Sequence, residues 1–201
     1  LENFSVLCLL KRTEPAIRSL IESDDFAVNG FLCPGHVAAI IGADGFSFLP
    51  KDYRLPGVVS GFEPGDLLYS ILELTEILAQ GTPELKNEYT RLVRQNGNPA
   101  AMALMERVFF PAGSDWRGLG QIPDSGYAIR DEYAGWDAMK KFSLSPAGEK
   151  EIPGCRCAQV IRGVLRPAEC PLFKKGCSPD NPVGPCMVSG EGACAAAYQY
   201  G

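Results

Sequence analysis

The sequence predicts an α/β fold: a Rossmann-like parallel sheet with flanking helices, followed by a small, irregular, cysteine-rich region. Three observations predict it. Short apolar runs alternate with segments of helical period in the order β-α-β-α-β-α. The predicted strands end in loops that carry Gly or Pro, where such folds place their sites. Six of the eight cysteines lie beyond position 154, in a stretch too rich in Pro and Gly for long helices or strands. These features divide the chain into a Rossmann-like domain over 1–110 and a second part over 111–201 that holds a linker and the cysteines.

The first predicted strand is 4–11 (FSVLCLLK), almost continuously apolar as a buried parallel strand would be. Thr13 offers an N-cap, with Glu14 and Pro15 in the first turn of a helix carrying Ala16, Ile17, Leu20 and Ile21. Residues 28–33 (VNGFLC) form the second predicted strand and run into Pro34-Gly35-His36. A helix over 37–41 stops at Gly42. The third strand is 57–61 (GVVSG), followed by the loop Phe62-Glu63-Pro64-Gly65 and a strong helix through Ala79, in which Leu67, Leu68, Ile71, Leu74 and Leu78 supply one apolar face. Helices are predicted over 83–94 and 99–109. Residues 114–123 (SDWRGLGQIP) read as irregular, 132–142 as a short helix, and 143–154 as a polar linker. There is no internal repeat and no low-complexity tract.

The chain is long enough for one good-sized domain, or a domain with a smaller appendage. Its formal net charge of −5 argues against a nucleic-acid partner or an anionic membrane surface. No apolar run approaches the roughly 20 residues that span a bilayer, and no charged-then-apolar leader opens the chain, so a cytoplasmic location is expected. The chain starts at Leu1 and enters an apolar run directly, which reads as a piece of a longer protein.

The cysteine spacing is Cys155-x-Cys157-x12-Cys170-x6-Cys177-x8-Cys186-x7-Cys194. The stretch buries little apolar surface, so ordering it requires a staple: metal bound by thiolates, or disulfides. Zinc sites favour paired C-x2–4-C knuckles, which are absent, and the bacterial ferredoxin run C-x2-C-x2-C-x3-C is absent too. A [4Fe–4S] cube takes four thiolates and would leave two. The spare pair is either a redox couple or two inert buried thiols.

Long motifs then match one family. Cys155-Arg-Cys157, Ile161-Arg-Gly163, Cys170-Pro-Leu-Phe173, Cys177, Asn181-Pro, Gly184-Pro-Cys186-Met-Val-Ser189 and Glu191-Gly-Ala-Cys194 resemble the C-terminal signature of the HypD family of [NiFe]-hydrogenase maturation factors. Pro34-Gly35-His36-Val37, Gly61-Phe62-Glu63-Pro64, Asn87-Glu88-Tyr89 with Arg91, Gly97-Asn98 and 116–120 (WRGLG) extend the resemblance along nearly the whole chain. It implies two Rossmann-like domains in the full family protein and a cluster-bearing C-terminal part similar to the catalytic subunit of ferredoxin–thioredoxin reductase. It also implies a cytoplasmic scaffold on which HypC and HypE help assemble an Fe(CN)2CO unit for the hydrogenase large subunit. By that analogy Cys155, Cys170, Cys177 and Cys194 hold the [4Fe–4S] cluster, and Cys157 pairs with Cys186 as a redox couple; the competing choice exchanges Cys155 and Cys157. The family's Cys-Pro-x-Cys iron-holding motif has no counterpart here, so the chain resembles the second α/β domain plus the cluster region. The expected role is a redox-active assembly scaffold rather than an ordinary enzyme. The alternative is a thiol–disulfide reductase fed through the cluster.

His36 and Glu63 each follow a predicted strand and precede a helix, the cleft position of a doubly wound fold. Proton shuttling or cleft lining is set against capping and core roles for both. Trp116 and Arg117 suggest packing or partner contact. Arg156 and Arg162 either favour nearby thiolates or are solvated. Cys8 and Cys33 read as core thiols. No Gly-x-Gly-x-x-Gly follows a strand, so no dinucleotide is expected.

Overall fold

The computed structural model describes residues 3–145 and 153–201. They group into two compact units, Val28–Phe110 and a second made of Leu1–Ala27 with Pro111–Gly201. Part of the expected linker, 146–152, lies outside the described residues.

The chain enters the second of these units. The apolar run at 4–11 is not a strand of the parallel sheet. It makes isolated bridges only, Val6 to Asp137 and Lys11 to Gly126, and Phe4, Leu7, Leu9 and Leu10 are exposed. Its backbone bonds link Val6 to Trp136 and Ala138 and Leu10 to Tyr127, partners too scattered for a ladder. Helix α1, Thr13–Ile21, follows, but Arg12 rather than Thr13 is its N-cap and no side chain caps it.

The unit 28–110 holds a three-stranded parallel sheet in the order β1-β2-β3. Strand β1, Phe31–Pro34, leads into helix α2, Gly35–Ile41, which ends at Gly42 as predicted. A 3-10 turn at Ala43–Phe46 and helix α3, Phe48–Tyr53, come next. Strand β2, Gly57–Ser60, is buried throughout and lies at the centre of the sheet. Helix α4, Pro64–Gln80, follows. Strand β3, Leu85–Asn87, occupies part of the segment predicted as the helix 83–94. The apolar spacing there suits a helix, yet pairing of Gly57, Val58 and Val59 with Leu85, Lys86 and Asn87 completes the sheet and outweighs it. Helix α5, Pro99–Val108, matches its prediction and is capped by the Asn98 side chain, which accepts from the Ala101 N–H at 3.1 Å.

Cys33, Phe46, Leu49, Val58, Val59 and Ile77 form the core of this unit. The apolar face of α4 read from sequence is not the one it buries. Asp66, Ser70 and Ile77 are buried, while Leu67, Leu68, Ile71 and Leu78 are exposed. The inward carboxylates have partners on and beyond β3: Arg91 grips Asp66 and Lys86 pairs with Glu73.

In the other unit, strands β4, Phe109–Trp116, and β5, Gly120–Ile129, form a two-stranded sheet where irregular chain was expected. Gly118 and Gly120, at φ +82° and +79°, provide the left-handed backbone for the reversal between them. The helix predicted at 132–142 is a 3-10 turn, Asp131–Trp136, and then the short α6, Ala138–Lys141, capped by Asp137. Short elements make up the rest: α7, Cys157–Ile161, a 3-10 turn at Pro167–Glu169, α8, Pro185–Val188, and α9, Ala193–Tyr200. Among the described residues no helix is long and apolar enough to cross a membrane.

Candidate metal centre

The six C-terminal cysteines come from loops and helix starts spread over 40 residues of chain, yet they share one environment. Cys157 opens α7, with Cys155 just ahead of it. Cys170 ends the 3-10 turn at 167–169. A tight turn then brings Cys177 back, its N–H donating to the Leu172 carbonyl at 2.9 Å. Cys186 lies in α8, started by Pro185, and Cys194 in the first turn of α9. Cys157, Cys177, Cys186 and Cys194 are buried together with Val160, Met187 and Ala195, and Cys155, Leu172, Phe173 and Val183 pack against them. Cys155 and Cys170 are half-buried.

The sulfurs lie close. Cys155 Sγ and Cys157 Sγ are 3.3 Å apart. The Cys186 thiol lies 3.8 Å from the Cys157 carbonyl oxygen. The Val183 N–H donates to Cys177 Sγ at 3.4 Å. Gly184 is buried against this group, and a methyl built on it would overlap both Cys155 Sγ and Cys157 Sγ. Only glycine allows the backbone to approach the C-x-C thiols this closely.

Electrostatics oppose thiolate formation. Burial pushes the Cys155 thiol up to about 11, and neighbouring sulfurs add to the effect. Burial and then Cys157 push Cys186 up further, and burial followed by Cys170 raises Cys194. Crowded thiols out of water repel each other once ionised, and positive charge beside Cys155, Cys186 and Cys194 would offset that penalty. All eight cysteines are free thiols. A soft-metal donor set and an oxidisable dithiol are the two chemistries that this arrangement supports. Among the described residues no three His, Cys, Asp or Glu side chains form a group that could hold a metal ion. The six thiols outnumber the four that a [4Fe–4S] group takes, one at each iron.

His36 and Glu63 belong to the unit 28–110. His36 follows β1 and stacks on Phe62, ring centroids 4.3 Å apart. Glu63 is the N-cap of α4 in a capping box with Asp66, whose carboxylate accepts the Glu63 N–H at 3.3 Å. Arg91, beyond β3, donates to both Asp66 oxygens at 2.8 and 2.6 Å, lies 3.6 Å from Glu63 and covers the Tyr89 ring at 4.4 Å. The fork holds the Asp66 carboxyl below its usual range. His36 and Glu63 thus follow the carboxyl ends of β1 and β2, and His36 stacks on Phe62, the chain neighbour of Glu63. Asp66 and Arg91 were not singled out as site residues from sequence. A capping-box spacing, Glu63-x-x-Asp66, was the available signal for the first; Arg91 had only its place in a matched motif.

The remaining candidates have structural partners. Trp116 Nε1 donates to Ser125 Oγ at 2.7 Å, which fits a packing role. Arg162 pairs with Asp25 at 2.8 Å and donates to the Ala158 carbonyl. Cys33 is buried in the sheet, its thiol pushed up to about 12 by burial, as expected of a core residue. Cys8 is half-buried and donates to the Tyr127 carbonyl. A cavity of about 550 Å³ between α1 and residues 122–124 of β5 contains no cysteine, and its Arg12 and Arg18 are engaged by the Asp124 carbonyl and by Glu14.

The chain matches, over residues 1–201, the model of a family described as HypD: Hydrogenase formation hypA family. The hydrogenase maturation factor HypD of Azotobacter vinelandii is 42% identical over 207 residues, covering 100% of this chain and 55% of the relative. That of Rhodobacter capsulatus is 42% identical over 206 residues, with 100% and 55% covered. That of Escherichia coli K12 is 40% identical over 200 residues, with 99% and 54% covered. The chain spans about half the length of the curated relatives it matches.

Proposed function

The chain belongs to the HypD hydrogenase-formation family, and from that premise we propose that it works in [NiFe]-hydrogenase maturation, as part of a cytoplasmic scaffold that assembles the Fe(CN)2CO unit with HypC and HypE. The observation that carries the proposal is the gathering of five free thiols, Cys155, Cys157, Cys177, Cys186 and Cys194, with Met187 in one small cluster. We assign Cys155, Cys170, Cys177 and Cys194 to a [4Fe–4S] cluster, and Cys157 with Cys186 to a redox pair beside it.

When bound, the cluster supplies one-electron transfer. The chain's own residues do the rest. Four thiols give up their protons to become ligands, which is favourable in this pocket only against a cation. Cys157 and Cys186 lose two protons and two electrons when they close to a disulfide and regain both when it opens. Gly184 lets the backbone pass over Cys155 and Cys157 and limits solvent access to them. His36 and Glu63 are proposed to line a second site at the sheet edge, with Asp66 and Arg91 positioning Glu63.

The test is iron and acid-labile sulfide per chain, on protein purified under argon. About four of each are expected, retained in a Cys157→Ser/Cys186→Ser variant and lost when Cys170 or Cys194 is replaced. Zinc in their place, or iron lost with Cys157, would overturn the assignment. The placement of the Cys186 thiol against the Cys157 backbone, both residues being buried in one cluster, also favours a second reading, a thiol–disulfide reductase. Turnover of a general disulfide by this chain alone, given a low-potential reductant, would select it.

A further inference from the structure

Helix α4 is amphipathic in the wrong sense for a helix that covers a sheet. Its sheet-facing stripe, Asp66, Ser70, Glu73 and Ile77, is mostly polar, and Asp66, Ser70 and Ile77 are buried. Its outward stripes are apolar. Leu68 is 70% exposed, Tyr69 53%, Leu72 52% and Ile71 50%, with Leu67 and Leu78 also exposed. Surfaces normally scatter such residues singly; several on one helix mark a contact surface. The helix cannot roll to bury them, because Asp66 is gripped by Arg91 and Glu73 by Lys86. Rolling would break two ion pairs and leave their charges without partners.

We propose that the outward face of α4 is an interface for the portion of the family's polypeptide that this chain does not span. Two observations select that occupant. The relatives are nearly twice as long as the segment they share with this chain, so the family carries a second portion large enough to form such a contact. The helix also contains no Lys or Arg, and its charges are Asp66, Glu73 and Glu76. A helix that lies on an anionic membrane needs cations on its polar face, so a lipid surface does not fit. A mainly apolar stripe with a single exposed acidic residue, Glu76, suits an apolar protein face with a polar rim.

The experiment compares this chain alone with a full-length chimera, the Azotobacter vinelandii relative whose matched region is replaced by this chain. Hydroxyl-radical footprinting reads the side chains directly. Labelling of Leu68, Tyr69 and Leu72 is expected to be high in the chain alone and to fall several-fold in the chimera. A Leu68→Lys/Leu72→Lys variant should leave the melting temperature of the chain alone unchanged and lower that of the chimera by several degrees. Equal labelling in the two proteins would overturn the proposal, as would a variant without effect on the chimera. Protection already present in the chain alone, accompanied by concentration-dependent dimer mass, would assign the face to a second copy instead and overturn it too.

Discussion

Gly184 shows how a single residue controls the thiol group. A side chain there meets both sulfurs of the C-x-C pair, so Gly184→Ala should destabilise the fold by about 1–3 kcal/mol through overpacking. It should also speed alkylation of Cys155 and Cys157, and denaturant melts with thiol-labelling rates check both effects. Asp66 governs the other unit. Its pKa is lowered first by the Arg91 hydrogen bonds and partly restored by burial. A depressed carboxylate pKa contributes stability that is complete above the unfolded value and is lost as pH falls through the folded one. The contribution of Asp66 should therefore be intact above about pH 5 and disappear below its ordinary value of 3.8. In Asp66→Asn the acid limb of a stability-against-pH curve should flatten, with the plateau lowered at neutral pH.

Among the elements, α5 and α4 make opposite points. The start of α5 was readable from Asn98 and Pro99, and the structure shows the Asn98 cap bond. Asn98→Ala should cost about 1 kcal/mol, measurable by urea titration, with little change in the native spectrum. The length of α4 and its Glu63-Pro64 start were equally readable, but not the direction of its face. Hydrophobic period gives the width of an apolar stripe and says nothing about which neighbour it meets. Two ion pairs to residues on or after β3 decided that.

The two units differ in what holds them. The unit 28–110 has a sheet whose central strand is wholly buried. The segment 153–201 has turns, short helices and cysteines around a small apolar group. On iron-loaded protein, chelation under argon should therefore abolish amide-exchange protection at Cys177 and across α9, while the amides of β2 keep theirs. Simultaneous loss in both places would argue that the metal supports the whole chain. Equal protection with and without metal would remove the ligand's structural role.

The residues alone determined the α/β class, two of the three parallel strands, the helices after them and the family, because these rest on local apolar runs, turn chemistry and long motifs. The six clustered cysteines were also legible, since their spacing and the Pro and Gly around them are local facts. Tertiary structure decided the rest. Residues 4–11 look like a buried strand but receive only scattered bridges, and 83–94 looks like a helix until β2 offers an edge to pair with. The approach of Gly184 to the C-x-C sulfurs, the fork of Arg91 on Asp66 and the outward turn of the α4 leucines depend on groups far apart in the chain. Pairing energies of that kind are set by which surfaces meet, and no periodicity within a single segment encodes them.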